Sequence, residues 1–156
     1  MSSPSALELA TRYLNRRERT VAEVRAHLAA RDVEPEAADA AVEQLIGHRL
    51  LDDRRFARLF VQDKRELEQW GAERIRRGLA ARGIDRELAE AALAEGPALA
   101  DGDDERDRAL ALLHQRFPVP PRERRDRERA LGVLVRKGYE YELAVEALER
   151  HCLVHG

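Results

Sequence analysis

One six-residue pattern constrains this chain more than any other: Leu79-Ala80-Ala81-Arg82-Gly83-Ile84. It is anticipated by Leu28-Ala29-Ala30-Arg31-Asp32-Val33 and written again as Leu134-Val135-Arg136-Lys137-Gly138-Tyr139. Each copy closes an amphipathic stretch with a basic residue and a turn residue, then supplies an apolar residue before an acidic helical stretch. Recurrence at a nearly fixed spacing of about 50 residues marks a small helical unit repeated in tandem. Such arrays offer an extended interaction surface more readily than a catalytic cavity.

The pattern predicts an all-α fold, an elongated array of three tandem three-helix repeats resembling helix-turn-helix units. The first covers residues 5–51. Ser5 and Glu8 stand at capping-box spacing, and Thr20 with Glu23 repeats the device more clearly. Val21, Val24 and Leu28 follow as one stripe, and Pro35 suits the first turn of a third helix. The second repeat covers 52–95. Asp52-Asp53 opens a helix expected to run to about Glu68 with Phe56, Leu59 and Phe60 inward, and Trp70-Gly71 makes a corner. A second helix from Ala72 to Arg82 buries Ile75 and Leu79 and stops at Gly83. Asp85 caps a third, with Leu88, Ala91, Ala92 and Leu93 on its inner side. Residues 96–103, rich in glycine and aspartate, read as a linker. The third repeat covers 104–152: a helix burying Ala109, Leu112 and Leu113, the stiff connector Phe117-Pro118-Val119-Pro120-Pro121, then two helices meeting at Lys137-Gly138.

Composition narrows the chemistry. Aromatics make up 4% of the chain, so each core rests on Leu, Ala, Val and Ile. Charged residues reach 37%, yet 28 basic and 30 acidic side chains nearly cancel, so no net field recruits a polyanion. The single cysteine, Cys152, excludes an intrachain disulfide and suits a reducing, cytoplasmic setting. No leader pattern and no apolar window of membrane length is present. His27, His48, His114, His151 and His155 are scattered, and neither a nucleophile with an adjacent base nor a glycine-rich phosphate loop occurs. His151, Cys152 and His155 are spaced for a metal but read better as a frayed helix end. No enzyme, metal or cofactor is expected, and the chain is expected to be a monomer.

Charge layout is more telling than charge total. The second helices are basic: Arg74, Arg76, Arg77 and Arg82 in the middle repeat, and Arg122 through Lys137 in the last. The third helices are acidic, with Glu34, Glu36, Asp39 and Glu43 in the first repeat and Glu140, Glu142, Glu146 and Glu149 in the last. An acidic last helix would be repelled by phosphates in a major groove, so groove reading of the helix-turn-helix kind is disfavoured. With Ile75 and Leu79 facing inward, Arg77 points away from the core and Arg74 lies on its flank. Arg82 sits where a cation favours the helix dipole. Trp70 reads as a staple between two helices.

Over residues 6 to 150 the chain resembles the RecX family of recombination regulators. The segment carrying the resemblance runs Leu50-Leu51-Asp52-Asp53, Phe56-Ala57, Arg65, Gly71, Arg74-Ile75, Leu79 and Arg82-Gly83-Ile84. Three positions depart from the family pattern: Asp32 replaces a glycine, Ala72 stands where a proline is common, and the Pro120-Pro121 connector is its own. The resemblance implies a non-enzymatic regulator in DNA repair and the SOS response. Such a protein binds the RecA recombinase filament, lying in its groove or blocking an end, and suppresses ATP hydrolysis and strand exchange. Arg25, Arg65, Arg74, Arg77, Arg82 and Arg136 are the expected partner contacts, with DNA backbone a possible second ligand. The alternative is a free-standing DNA-binding protein acting through the arginine-rich second helices.

Overall fold

A computed structural model of the chain describes residues 3–95 and 104–154. Among them the regular structure is entirely helical: α1 (Ala6–Leu14), α2 (Val21–Ala30), α3 (Pro35–Gly47), α4 (Asp53–Glu66), α5 (Ala72–Ala81), α6 (Arg86–Ala94), α7 (Asp104–Arg116), α8 (Arg124–Lys137) and α9 (Tyr141–Val154). The expected linker, 96–103, lies outside the described residues. Taken in chain order, the described helices make three sets of three.

The thrice-written pattern closes α2, α5 and α8 in one way. The carbonyls of Leu28, Leu79 and Leu134 accept hydrogen bonds from the amides of Val33, Ile84 and Tyr139, at 3.1, 3.0 and 3.1 Å. This is the Schellman closure, in which the residue before the last amide takes the left-handed conformation. Asp32, Gly83 and Gly138 occupy that position with φ of 60°, 81° and 101°. The apolar residue that follows turns inward: Ile84 and Tyr139 are buried and Val33 is half-buried.

The chain packs as two compact units, Met1–Leu59 with Leu79–Ala92, and Phe60–Gly78 with Leu93–Gly156. The second set of helices therefore supplies residues to both. In the first unit α1, α2 and α3 pack mutually around Ala10, Val24, Leu28, Ala38, Ala41, Val42, Leu45 and Leu51. In the second, α9 packs on α7 and α8 around Ala109, Leu112, Leu113, Ala130, Leu134 and Tyr139. Alanines at facing positions let helix backbones approach closely, so two small cores form with few aromatics. Two inward assignments change. On α4 the inner row is Phe56, Ala57 and Val61, which turns Leu59 outward at 42% exposed. On α6 the row is Ala89 and Ala92, which leaves Ala91 on the outside. Helix α4 also ends at Glu66, two residues before the expected stop, and Gln69 takes φ 57° ahead of the corner.

Each unit contains a joint between a helix end and a helix start. In the first unit the end of α5 meets the start of α2. Thr20 Oγ1 donates to the Arg82 carbonyl at 2.6 Å, and the Val21 amide donates to Asp53 Oδ1 at 2.8 Å. In the second unit the end of α8 meets the start of α5. The Gly71 amide donates to the Lys137 carbonyl at 2.7 Å, and the Ala72 amide to Glu105 Oε2 at 2.6 Å. The Glu73 amide reaches the Gly138 carbonyl at 3.0 Å. Helix starts have spare amides and helix ends have spare carbonyls, so setting one against the other satisfies both and aligns their dipoles. The approach is close. A Cβ added to Gly83 would stand 2.3 Å from the Ala22 Cβ, and one added to Gly138 would stand 2.2 Å from the Arg74 Cβ.

This explains why Asp32 can depart from the pattern. Its φ of 60° shows that the turn itself tolerates a non-glycine residue. Glycine is needed at 83 and 138 because another helix lies against them. Asp32, the matching residue of the first repeat, is exposed and already carries a Cβ at this positive φ.

Candidate functional site

The six arginines expected to contact a partner fall in both units. Arg25 and Arg82 belong to the first, and Arg65, Arg74, Arg77 and Arg136 to the second. Arg25 is exposed on α2 and pairs with Asp39 on α3. Arg82 is held at both ends of its fork, Nε to Glu23 Oε2 at 2.7 Å and Nη2 to Glu23 Oε1 at 3.0 Å, with its Cζ 4.8 Å from the Phe56 ring centroid. Glu23 thereby serves two purposes, since Oε1 also accepts from the Thr20 amide at 3.0 Å in a complete capping box. Burial pushes its pKa up, but the Arg82 and Thr20 hydrogen bonds and the Arg82 charge outweigh burial and hold it below 4.5. Asp53 is shifted the other way, above 3.8. Burial is the main cause, the Val21 amide opposes it, and Asp52, Asp85 and Glu23 add to it.

In the second unit Arg74 and Lys64 lie against Trp70. The Arg74 Cζ lies 4.2 Å from its ring centroid and the Lys64 Nζ 4.6 Å, while Phe60 meets the indole edge-on at 6.2 Å and 69°. Trp70 thus staples α4 to α5. Gly78 makes room for it, because a Cβ there would stand 2.8 Å from the Phe60 Cζ. Arg74 Nη1 also donates to the Arg136 carbonyl at 3.2 Å, and Lys137 Nζ donates to the Glu68 carbonyl at 2.8 Å. Arg136 is exposed, with its guanidinium lying back beside Gly132 of its own helix. Arg65 Nη2 donates to the Leu93 carbonyl at 3.1 Å. Arg77 is exposed and has no ion-pair or hydrogen-bond partner among the described residues.

The structure therefore brings Arg74 and Arg136 together with Lys64, Trp70 and Lys137, and leaves Arg77 exposed on the same helix as Arg74. Lys64 was missed in the sequence; its six-residue distance from Trp70 gives little sign that the helix end folds it back over the ring. Tyr139 is buried, and its OH donates to the Gln69 carbonyl at 3.3 Å. Burial, and then the Glu105 charge, push its pKa well above the ordinary phenol range. His151 Nε2 lies 2.7 Å from the Phe117 carbonyl, and its ring meets His114 edge-on. Of the other two residues spaced for a metal, Cys152 Sγ donates to the Pro121 carbonyl at 3.5 Å, and His155 lies outside the described residues. No helix among the described residues is long and apolar enough to cross a membrane.

Residues 6–45 match the family model described as RecX, first three-helix domain, and residues 52–93 match the model for its second. The regulatory protein RecX of Trichlorobacter lovleyi is 34% identical over 153 residues, covering 96% of this chain and 97% of that one. The chain belongs to the RecX family. A RecX from Lactobacillus delbrueckii subsp. bulgaricus is 40% identical over 60% of this chain, a stretch that spans only 35% of the Lactobacillus protein. The crystal structure of RecX from Lactobacillus salivarius shares the fold, with a TM-score of 0.78 at 23% identity over 95% of both chains. The all-helical fold and the membership expected from the Leu50–Ile84 segment are thus both found.

Proposed function

We propose that this chain regulates homologous recombination by binding the RecA recombinase filament and restraining its ATP hydrolysis and strand exchange. The supporting observation is membership of a family whose members are named regulatory proteins, matched over nearly the whole chain. The surface chemistry agrees with a binding role. The buried Thr20 hydroxyl is spent on a helix joint, and the cationic side chains around Trp70 are held in place by backbone carbonyls and aromatic rings.

Arg77 is the leading contact in this reading, because its guanidinium is exposed and uncommitted among the described residues. Arg74, one turn earlier on the same helix, is held against Trp70 and the Arg136 carbonyl, and Arg136 is exposed on α8. Arg25, Arg65 and Arg82 contribute less, since each already spends its guanidinium inside its own unit. The test is recombinase ATP hydrolysis on single-stranded DNA with the chain titrated in. Inhibition at stoichiometric ratios supports the reading, and an unchanged rate at excess overturns it.

A further inference from the structure

A group of unpaired cations in the first unit lies at a corner that the family reading does not use. Tyr13, near the end of α1, carries the Arg19 Cζ 3.9 Å from its ring centroid. It also stacks on His27 of α2, with centroids 3.9 Å apart and planes 7° from parallel. A guanidinium and an imidazole this close to one centroid must take opposite faces of the ring. Arg19 is thereby fixed by stacking, with no hydrogen bond or ion pair among the described residues, and its Nε is buried without an acceptor. Arg16 and Arg31, both exposed, likewise have no partner there.

The neighbouring carboxylates Glu18 and Glu23 are turned to Arg55, at 3.5 Å, and to Arg82, at 2.7 Å. The His27 imidazole reports the imbalance: burial first, then the charges of Arg31, Arg19 and Arg16, hold its pKa below 6.5. Arginines on α8 are more numerous but are interleaved with Glu123, Asp126 and Glu128, and Arg124 is paired with Glu128 at 3.1 Å.

We propose that the corner formed by the end of α1, the following turn and the end of α2 binds DNA backbone phosphates. Arg19 is its fixed element, and Arg16 and Arg31 are its arms. A guanidinium presents donors in a fork that matches phosphate oxygens. Both faces of Tyr13 are taken, so the ring positions cations and does not stack on bases. A protein partner fits less well, because interfaces are anchored by exposed apolar side chains. The exposed large apolar residues among those described are Ile46, Leu50, Leu59, Leu67, Val119, Val135, Tyr141 and Leu153, none of which belongs to this corner.

The test uses the full chain and a fluorescein-labelled oligo(dT), without recombinase, so its result is separate from filament inhibition. The double variant Arg16→Ala/Arg31→Ala should weaken binding about tenfold at low salt. It should reduce the slope of log K against log salt by about 1.4, two phosphate contacts on a single strand. Both residues are exposed, so thermal stability should not move. Arg86→Ala/Arg150→Ala removes equal charge elsewhere and should leave the slope near that of the wild type. An unchanged slope in the first variant, or an equal fall in the second, would overturn the proposal. So would a site that takes a poly-glutamate peptide and not the oligonucleotide.

Discussion

Glu23 and Arg82, 59 residues apart, form a two-bond fork at 2.7 and 3.0 Å that fastens the end of α5 to the start of α2. Their side chains are only 19% and 26% exposed, against 55% and 49% for Asp39 and Arg25. Removing one partner of a partly buried charged pair costs about 2 kcal/mol, whereas an exposed pair contributes about 0–1 kcal/mol. Glu23→Ala should therefore lower stability by about 2 kcal/mol or more, because the Thr20 cap is lost with the ion pair. Arg25→Ala should change it by less than 1 kcal/mol (~0.5). Urea unfolding of the two variants checks the ranking.

The same pair sets an acid dependence. The folded pKa of Glu23 lies below its ordinary 4.5, so the pair contributes fully above that value and is lost as pH falls through the lower one. The stability gap between wild type and Glu23→Gln should close between neutral pH and about pH 3. Asp53 has the opposite sign. Its raised pKa means that its contribution is present below 3.8 and lost as pH rises through the folded value. Asp53→Asn keeps the acceptor for Val21, so it should raise the melting temperature at neutral pH and not at about pH 3.

Substitutions at the three equivalent corners should behave differently although the turns are alike. Gly83→Ala and Gly138→Ala force a Cβ into a neighbouring helix at positive φ, and each should cost about 3 kcal/mol or more. Asp32→Gly adds no atoms at an exposed turn and should fall within about 1 kcal/mol of wild type. Thermal melts of the three proteins measure this directly.

Ala72 is the first residue of α5, where proline is normally favourable because its missing amide has no helical partner. Here the amide is used: it donates to Glu105 Oε2 at 2.6 Å. Ala72→Pro should therefore destabilise by about 1–3 kcal/mol. In a Glu105→Ala background the same proline should cost much less, a coupling that a double-mutant cycle reads.

Arg77→Ala should leave the melting temperature unchanged and weaken inhibition of the recombinase about fivefold, near 1 kcal/mol for one exposed contact. Arg82→Ala should lower the melting temperature. Equal inhibition by Arg77→Ala and wild type would remove Arg77 from the interface.

The sequence made the helix stops legible because they are local. A leucine, a left-handed residue and an apolar residue within six positions suffice to define each closure. The capping role of Thr20 was legible for the same reason. Its second role was not, since the Arg82 carbonyl it donates to lies 62 residues away. Arg82 sits in the last turn that predicts a dipole role, but its tie to Glu23 depends on which repeats adjoin. Leu59 and Ala91 were placed inward by hydrophobicity, whereas the helix phase, set by Ala57 with Val61 and by Ala89 with Ala92, turns them out. The Tyr13 corner was hidden because its charges are compensated in sequence by Glu18 and Glu23, and only the fold turns those carboxylates elsewhere.

Restraint of a recombinase filament is read in the steady-state rate of ATP hydrolysis by RecA on single-stranded DNA as this chain is added. The rate should fall progressively, and the Arg77→Ala variant should reproduce the fall only at higher concentration. A rate that stays constant with the folded chain in stoichiometric excess would contradict it.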